Sequence, residues 1–193
     1  MADITAPGPA ETQGDDHNVY WSGVATPLGE WFLASTALGL GLLGTAGKED
    51  FMARLAAKYP GHLLCCEPLA NEDAGLMVVQ YFAGARQDFG PHPPLLDLRG
   101  ATDFDLLVWQ ETMQIPFGAV MGYGQVASRL GRGSARAVGN ALGRNPVPLF
   151  IPCHRVITAA GTLGGYSGGA GVKLALLTRE GFRVDSLGQV ARR

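Results

Sequence analysis

The chain has 193 residues, 47% of them hydrophobic, with 15 Lys and Arg against 17 Asp and Glu. That length accommodates one large domain or two small ones with their own cores, and the composition is that of a soluble globular protein, not a fibrous one. The cysteines Cys65, Cys66 and Cys153 are odd in number and include an adjacent pair, a poor disulfide framework that fits a reducing compartment.

Residues 1–18 are acidic and rich in Ala, Pro, Gly and Asp, with neither a basic start nor an apolar stretch. They read as a disordered tail and not a secretory leader, so the protein is expected to be cytoplasmic. Tyr20 to Thr36 holds a Pro27-Leu28-Gly29 turn and then a strand-like run from Glu30 to Ser35. The apolar run Leu38 to Leu43 follows, and together they predict a hairpin. The stretch Trp31 to Gly44 is too short and too interrupted to span a bilayer. Phe51, Leu55 and Ala56 predict a helix over Asp50 to Tyr59, stopped by Pro60-Gly61, and a second is expected over Ala74 to Phe82. Pro91 to Pro94 break the chain, and Leu95 to Arg99 reads as a short strand. The first half is therefore expected to be a small α+β domain. There is no Cys-x-x-Cys pair and the four histidines are scattered, so no metal site is expected; His62 with Cys65 or Cys66 is the alternative.

The texture changes at Thr102. Phe104, Leu107, Val108 and Glu111 are helically spaced over Asp103 to Met113, and Ile115-Pro-Phe-Gly118 stops that helix. Tyr123 to Leu130 predicts a short helix and Gly131-Arg132-Gly133 a turn. Ser134 is a good N-cap for a further helix, Ala135 to Leu142, ending at Gly143. Helix, glycine turn, helix is the outline of a helix-turn-helix, although many helical hairpins bind nothing. In the second helix Val138 and Leu142 would face inward, while Arg136 and Asn140 share another face among small residues. Such a helix suits close approach to a nucleic-acid backbone or minor groove, and equally suits tight helix packing.

Residues 1–100 carry five Lys or Arg and twelve Asp or Glu; residues 101–193 carry ten and five. No acidic residue lies between Glu111 and Glu180, where Arg129, Arg132, Arg136, Arg144, Arg155, Lys173 and Arg179 all fall. The excess suggests a polyanion partner, with a solvated basic face as the alternative.

Within that segment Pro152-Cys-His-Arg-Val-Ile157 sets a thiol beside an imidazole and a guanidinium. A thiol is nucleophilic as thiolate, and a neighbouring base or cation lowers its pKa; a buried structural cysteine is the alternative for Cys153. A helix from about Gly171 to Glu180 would place Lys173 near its N-terminus and Glu180 at its C-terminus, both against the dipole. A misplaced carboxylate points to a specific partner, and one aimed at an imidazole that serves a thiol follows triad logic; an exposed helix-end glutamate is the alternative. The loop Gly164-Gly-Tyr-Ser-Gly-Gly169 lacks the Lys-Ser/Thr ending of a P-loop and would instead close its backbone over a small group. Tyr123 and Tyr166 would be core aromatics or would flank a flat ligand.

The series Ile115-Pro-Phe-Gly118, Tyr123-Gly124, Ala135-Arg-Ala-Val-Gly139, Asn145-Pro-Val-Pro148, Ile151-Pro-Cys-His-Arg-Val-Ile157, Gly165-Tyr-Ser-Gly-Gly169, Lys173, Leu176-Leu177 and Glu180-Gly181 resembles the O6-alkylguanine-DNA alkyltransferases, or methylated-DNA–protein-cysteine methyltransferases. The resemblance covers about residues 95–183; the first half matches loosely, through Thr26-Pro-Leu-Gly29 and Leu96-Asp-Leu98. It implies an α+β protein with an RNase-H-like α/β domain over residues 19–97. A mostly helical, winged-helix-like domain with a helix-turn-helix would follow over 98–185, then a tail over 186–193. Such proteins flip O6-alkylguanine out of duplex DNA and transfer the alkyl group irreversibly to a cysteine, without cofactor or metal. Cys153 would be the acceptor, His154 its base through a water, and Glu180 the group orienting that base. Asn145 would brace the turn between recognition helix and active-site loop. Arg136 would replace the flipped nucleotide in the stack. Tyr123 would donate toward the flipped base and rotate the target phosphate. The Ser167 backbone would approach O6, and the Cys153 and Val156 carbonyls would accept from the guanine amine. Ala135, Asn140 and Tyr166 complete the expected DNA- and base-binding set.

The expected partner is double-stranded DNA containing O6-alkylguanine, with O4-alkylthymine as a further candidate. The protein would act as a monomer without membrane or obligate protein partners. Thiolate attack on a saturated carbon needs no metal, and the thioether has no good leaving group, so single turnover follows. There are departures: Val120-Met121-Gly122 lacks polar residues, which would weaken phosphate contact there. The zinc ligands that some members carry are not matched, and Cys65 and Cys66 have no counterpart. No transcriptional module is expected ahead of the first domain. The rival readings are a non-enzymatic alkylguanine-lesion binding protein, a class that lacks the cysteine, and a Cys153–His154–Glu180 hydrolase, for which no oxyanion hole is evident.

Overall fold

A computed structural model describes residues 17–89 and 93–192. The expected N-terminal tail lies outside these up to residue 16. The chain divides into two units, Met1–Gly100 and Ala101–Arg193, and its described residues form a mixed α/β structure with six α-helices.

In the first unit, Thr26 Oγ1 accepts from Leu28 N at 3.1 Å and donates to the Gly29 carbonyl at 2.7 Å. This closes the turn between β1 (Asn18–Thr26) and β2 (Gly29–Thr36). The expected hairpin is a three-strand meander, because β3 (Gly39–Gly44) returns antiparallel to β2. A fourth strand, β4 (Leu63–Cys66), lies parallel to β1 and gives the order β3-β2-β1-β4. A parallel return needs a crossover, and α1 (Lys48–Lys58) supplies it. Its Phe51 and Leu55 pack with Val19, Phe32, Ala34, Leu42 and Tyr59. Trp31, alternating with Phe32, meets Phe82 of α2 (Glu72–Ala83) at a ring separation of 5.1 Å. Helices thus cover both sheet faces, which is why Trp31 to Ala34 are all buried.

Leu95 to Arg99 does not form the expected strand. Leu40 N donates to Leu95 O and Asp97 N to Leu40 O, giving one bridge, Leu40 with Leu96. The Asp97 carboxylate then turns inward and accepts from Thr36 Oγ1, Tyr59 OH, the Arg99 guanidinium and the Arg99 N–H. That last bond occupies the N–H a ladder would need next.

The second unit begins with α3 (Asp103–Met113), closed by a Thr102–Asp105 capping box. Its buried side chains are Asp105, Val108, Trp109 and Thr112, a different face from the expected Phe104, Leu107, Val108 and Glu111. Polar residues can lie inside because each is bonded: Thr112 Oγ1 donates to Val108 O at 2.7 Å and Trp109 Nε1 to Ala141 O at 2.9 Å. Next come β5 (Met121–Gly122), α4 (Tyr123–Leu130) and α5 (Ala135–Gly143). Ser134 Oγ caps α5 by accepting from Ala137 N at 3.2 Å. Then β6 (Val156–Ile157) pairs parallel to β5, and α6 (Ala170–Arg179) follows. Residues 186–193, expected as a tail, contribute β8 (Val190–Arg192), which pairs with β7 (Phe182–Val184). Among the described residues no helix is long and apolar enough to cross a membrane.

Candidate functional site

The site is built around the turn that joins α5 to Cys153. Leu149 within it adopts a φ of 80°, a left-handed conformation that costs a non-glycine residue about 1–3 kcal/mol. Asn145 holds the turn: its Nδ2 donates to Ile151 O at 2.9 Å, and its Oδ1 accepts from Val147 N at 3.0 Å. The same Nδ2 lies 3.1 Å from Cys153 Sγ. Cys153 opens a 3-10 turn running to Arg155 and is 4% exposed. Burial pushes its thiol up, while the Asn145 carboxamide, the Lys173 cation and the Tyr166 hydroxyl act in the opposite direction.

His154 and Glu180 meet as the sequence leads one to expect, through Nε2 and Oε1 at 2.8 Å. The sequence reading missed that Arg155 is Glu180's second partner. Its guanidinium grips both carboxylate oxygens from Nε at 3.0 and 3.1 Å, and Oε1 from Nη2 at 2.9 Å. Gly118 N donates to Oε2 at 3.0 Å, and Arg155 Nη1 to Ile115 O at 2.7 Å. Burial would raise the Glu180 carboxyl, but His154 and Arg155 hold it down at about 2. Burial holds His154 down, against the opposing pull of Glu180. A neutral imidazole beside an ionised carboxylate carries its proton on the bonded nitrogen, Nε2. Its Nδ1 is then a lone-pair acceptor, buried without a partner among the described residues. The available signal for Arg155 was its charge, set within the apolar run Leu149 to Ile157.

Lys173 is also buried. It is fully enclosed, its Nζ donates to Val156 O at 2.6 Å, and burial brings it down to about 8 against the opposing pull of Cys153. Its position against the α6 dipole is thereby explained by a bond. The Val156 carbonyl, expected to accept from a guanine amine, already accepts this donor; a carbonyl oxygen has a second lone pair.

Cys153 forms part of the wall of a pocket of about 480 Å³ lined also by Tyr123, Ala135, Arg136, Gly139, Asn140, Tyr166 and Ser167. Of the expected site residues, these seven apart from Gly139 share the pocket with Cys153, while Asn145, His154, Val156 and Glu180 are buried. The expected uncompensated basic segment is compensated in part, at three of its seven cations. Arg129 pairs with Glu111, Arg144 with Asp105 and Arg155 with Glu180, acids that lie at or beyond its ends. Arg136, exposed on α5, has no ion-pair partner among the described residues.

The family model of the 6-O-methylguanine DNA methyltransferase DNA-binding domain matches residues 103–182. A methylated-DNA–protein-cysteine methyltransferase of Salmonella typhimurium is 40% identical over 163 residues, 82% of this chain and 94% of that protein. The inducible enzyme of that name from Bacillus subtilis is 35% identical over 84% of this chain and 90% of its own. The crystal structure of Mycobacterium tuberculosis OGT in complex with DNA matches with a TM-score of 0.71 and 37% identity, covering 83% of this chain and 92% of that one. A relative this similar over most of both chains, together with a domain model that in this chain spans Cys153, His154 and Glu180, shows that this chain belongs to the methylated-DNA–protein-cysteine methyltransferase family.

Proposed function

We propose that this protein repairs DNA directly, taking the alkyl group of O6-alkylguanine onto Cys153 in a single turnover. The observation that carries the reading is the placement of the thiol. It is buried, bonded by Asn145, and lines an open pocket whose other wall is α5 with Arg136. A base inside a duplex is out of reach, so the target nucleotide flips into this pocket at a cost of about a few kcal/mol. Helices α4 and α5 act as a helix-turn-helix in the minor groove, with Ala135 and Asn140 against the backbone. Arg136 fills the gap in the stack. Tyr166 and the Ser167 backbone enclose the flipped base.

The proton and electron movements balance within the site. The Cys153 proton passes through a water to His154 Nδ1, and Glu180 stabilises the imidazolium. The thiolate attacks the alkyl carbon, a C–S bond forms, and the C–O6 bond breaks with its electron pair left on guanine. Tyr123 donates a proton to the departing base, and the imidazolium returns the thiol's proton through water to Tyr123, so guanine gains the one proton that Cys153 lost. No cofactor enters. Residues 19–97 form an RNase-H-like domain, and 98–185 a winged-helix-like domain that carries the reaction. The protein works as a cytoplasmic monomer.

The test is to incubate the protein with duplex DNA containing O6-methylguanine and measure its intact mass. A gain of one methylene, absent in Cys153→Ala, is expected. Unchanged mass with tight lesion binding would overturn transfer in favour of a lesion-binding protein.

A further inference from the structure

Arg144 belongs to the basic segment that the sequence points toward a polyanion, yet its half-exposed side chain is laid against the buried Asp105 carboxylate. Its Nε lies 3.2 Å from both Asp105 oxygens, and its Nη2 2.6 Å from Oδ1. Asp105 is 1% exposed and also accepts from Thr102 N at 3.2 Å in the α3 capping box. Capping needs only that last bond, so the two-pronged grip on Arg144 is additional. Trp109, four residues on along α3, donates to the Ala141 carbonyl. Helix α3 therefore grips the last turn of α5 at two points. Arg144 is the C-cap of α5, its N–H bonded to Ala141 and Leu142 carbonyls. The next residue is Asn145, whose amide holds the strained Leu149 turn and donates to Cys153 Sγ.

We propose that the Asp105–Arg144 ion pair is a positioning element for the Cys153 thiol: it anchors the residue before Asn145 to α3, so that the Asn145 carboxamide stays within donating reach of Sγ. The proposal rests on the alkyl-acceptor reading of Cys153. A hydrogen bond to a thiolate favours the charged form, and its strength depends steeply on donor placement. Loosening the end of α5 weakens the bond and leaves the buried thiol protonated to higher pH.

The experiment follows the pH profile of Cys153 alkylation by iodoacetamide, resolved from Cys65 and Cys66 by peptide mass. The variants are Arg144→Ala, Arg144→Lys and Asp105→Asn, which keeps the cap acceptor, together with the Asp105→Asn/Arg144→Ala double. Glu111→Gln, which breaks the Arg129 pair on the same helix, is the control for loss of stability alone. Arg144→Ala and Asp105→Asn are expected to shift the profile to higher pH and slow alkylation at pH 7 about threefold to tenfold. The double variant should add nothing further, Arg144→Lys should restore part of the rate, and Glu111→Gln should match wild type. An Arg144→Ala profile that superimposes on wild type, whatever its melting point, overturns the proposal. So does an equal shift in Glu111→Gln. Methyl transfer from O6-methylguanine DNA is measured on wild type in parallel. If wild type takes no methyl group, the acceptor reading falls, and the iodoacetamide profiles still decide the positioning role.

Discussion

Glu180→Gln probes the site's electrostatics and stability together. The carboxyl is 3% exposed, and its partners lower it from an ordinary 4.5 to about 2. At about 1.4 kcal/mol per tenfold change in proton affinity, that displacement corresponds to roughly 3 kcal/mol. Because the folded value is depressed, this stability is fully present above about pH 4.5 and is lost as pH falls toward 2. The amide removes the titration and leaves the Arg155 guanidinium buried without its counter-charge, which costs about 3–5 kcal/mol. The variant is therefore expected to be less stable at pH 7 and to have an acid limb shallower than wild type by about 3 kcal/mol. Urea midpoints followed by circular dichroism from pH 7 to pH 2.5 read both effects. Methyl transfer at pH 7 should also fall about tenfold to a hundredfold, because a neutral amide stabilises an imidazolium poorly. Parallel acid limbs in the two proteins would refute the reasoning, since they would place the acid sensitivity in other carboxylates.

Lys173→Met tests the second buried charge. Lys173 is lowered from 10.5 to about 8, so the unfolded chain holds this proton more tightly and wild-type stability should rise between those pH values; in the variant that rise, measured by denaturant titration, should be absent. Gly41→Ala probes the first unit. A Cβ there would overlap the Tyr59 hydroxyl and lie 3.4 Å from Asp97 Cβ, breaking the 3.1 Å Tyr59–Asp97 bond. A loss of about 2–4 kcal/mol is expected by thermal melting, partly recovered by adding Tyr59→Phe.

The residues of the candidate site were readable because their signals are local. Thr102, Gly131, Ser134 and Gly181 punctuate the second half, and helices α3 to α6 follow that punctuation closely. Cys153 and His154 stand in one hexapeptide, and Glu180 was betrayed by its unfavourable place at a helix end. The face of α3 was misread because three of its four buried side chains carry polar atoms, satisfied by partners the helical period does not reveal. In the same way β4 gives no alternation, and its pairing with β1 joins residues more than forty apart.

By itself, then, the sequence determined where the helices of the second half begin and end, and that the imidazole of His154 and the carboxylate of Glu180 belong together. Tertiary structure alone decided that Arg155 shares Glu180 with His154, and that Lys173 is bonded to the Val156 carbonyl inside the core. It also decided that Arg144 faces Asp105 across 39 residues instead of facing a ligand. The physical reason is range. Caps, turns and helical periods act over a few residues and are written in adjacent letters, whereas the state of a buried charge depends on groups that only folding brings within 3 Å of it.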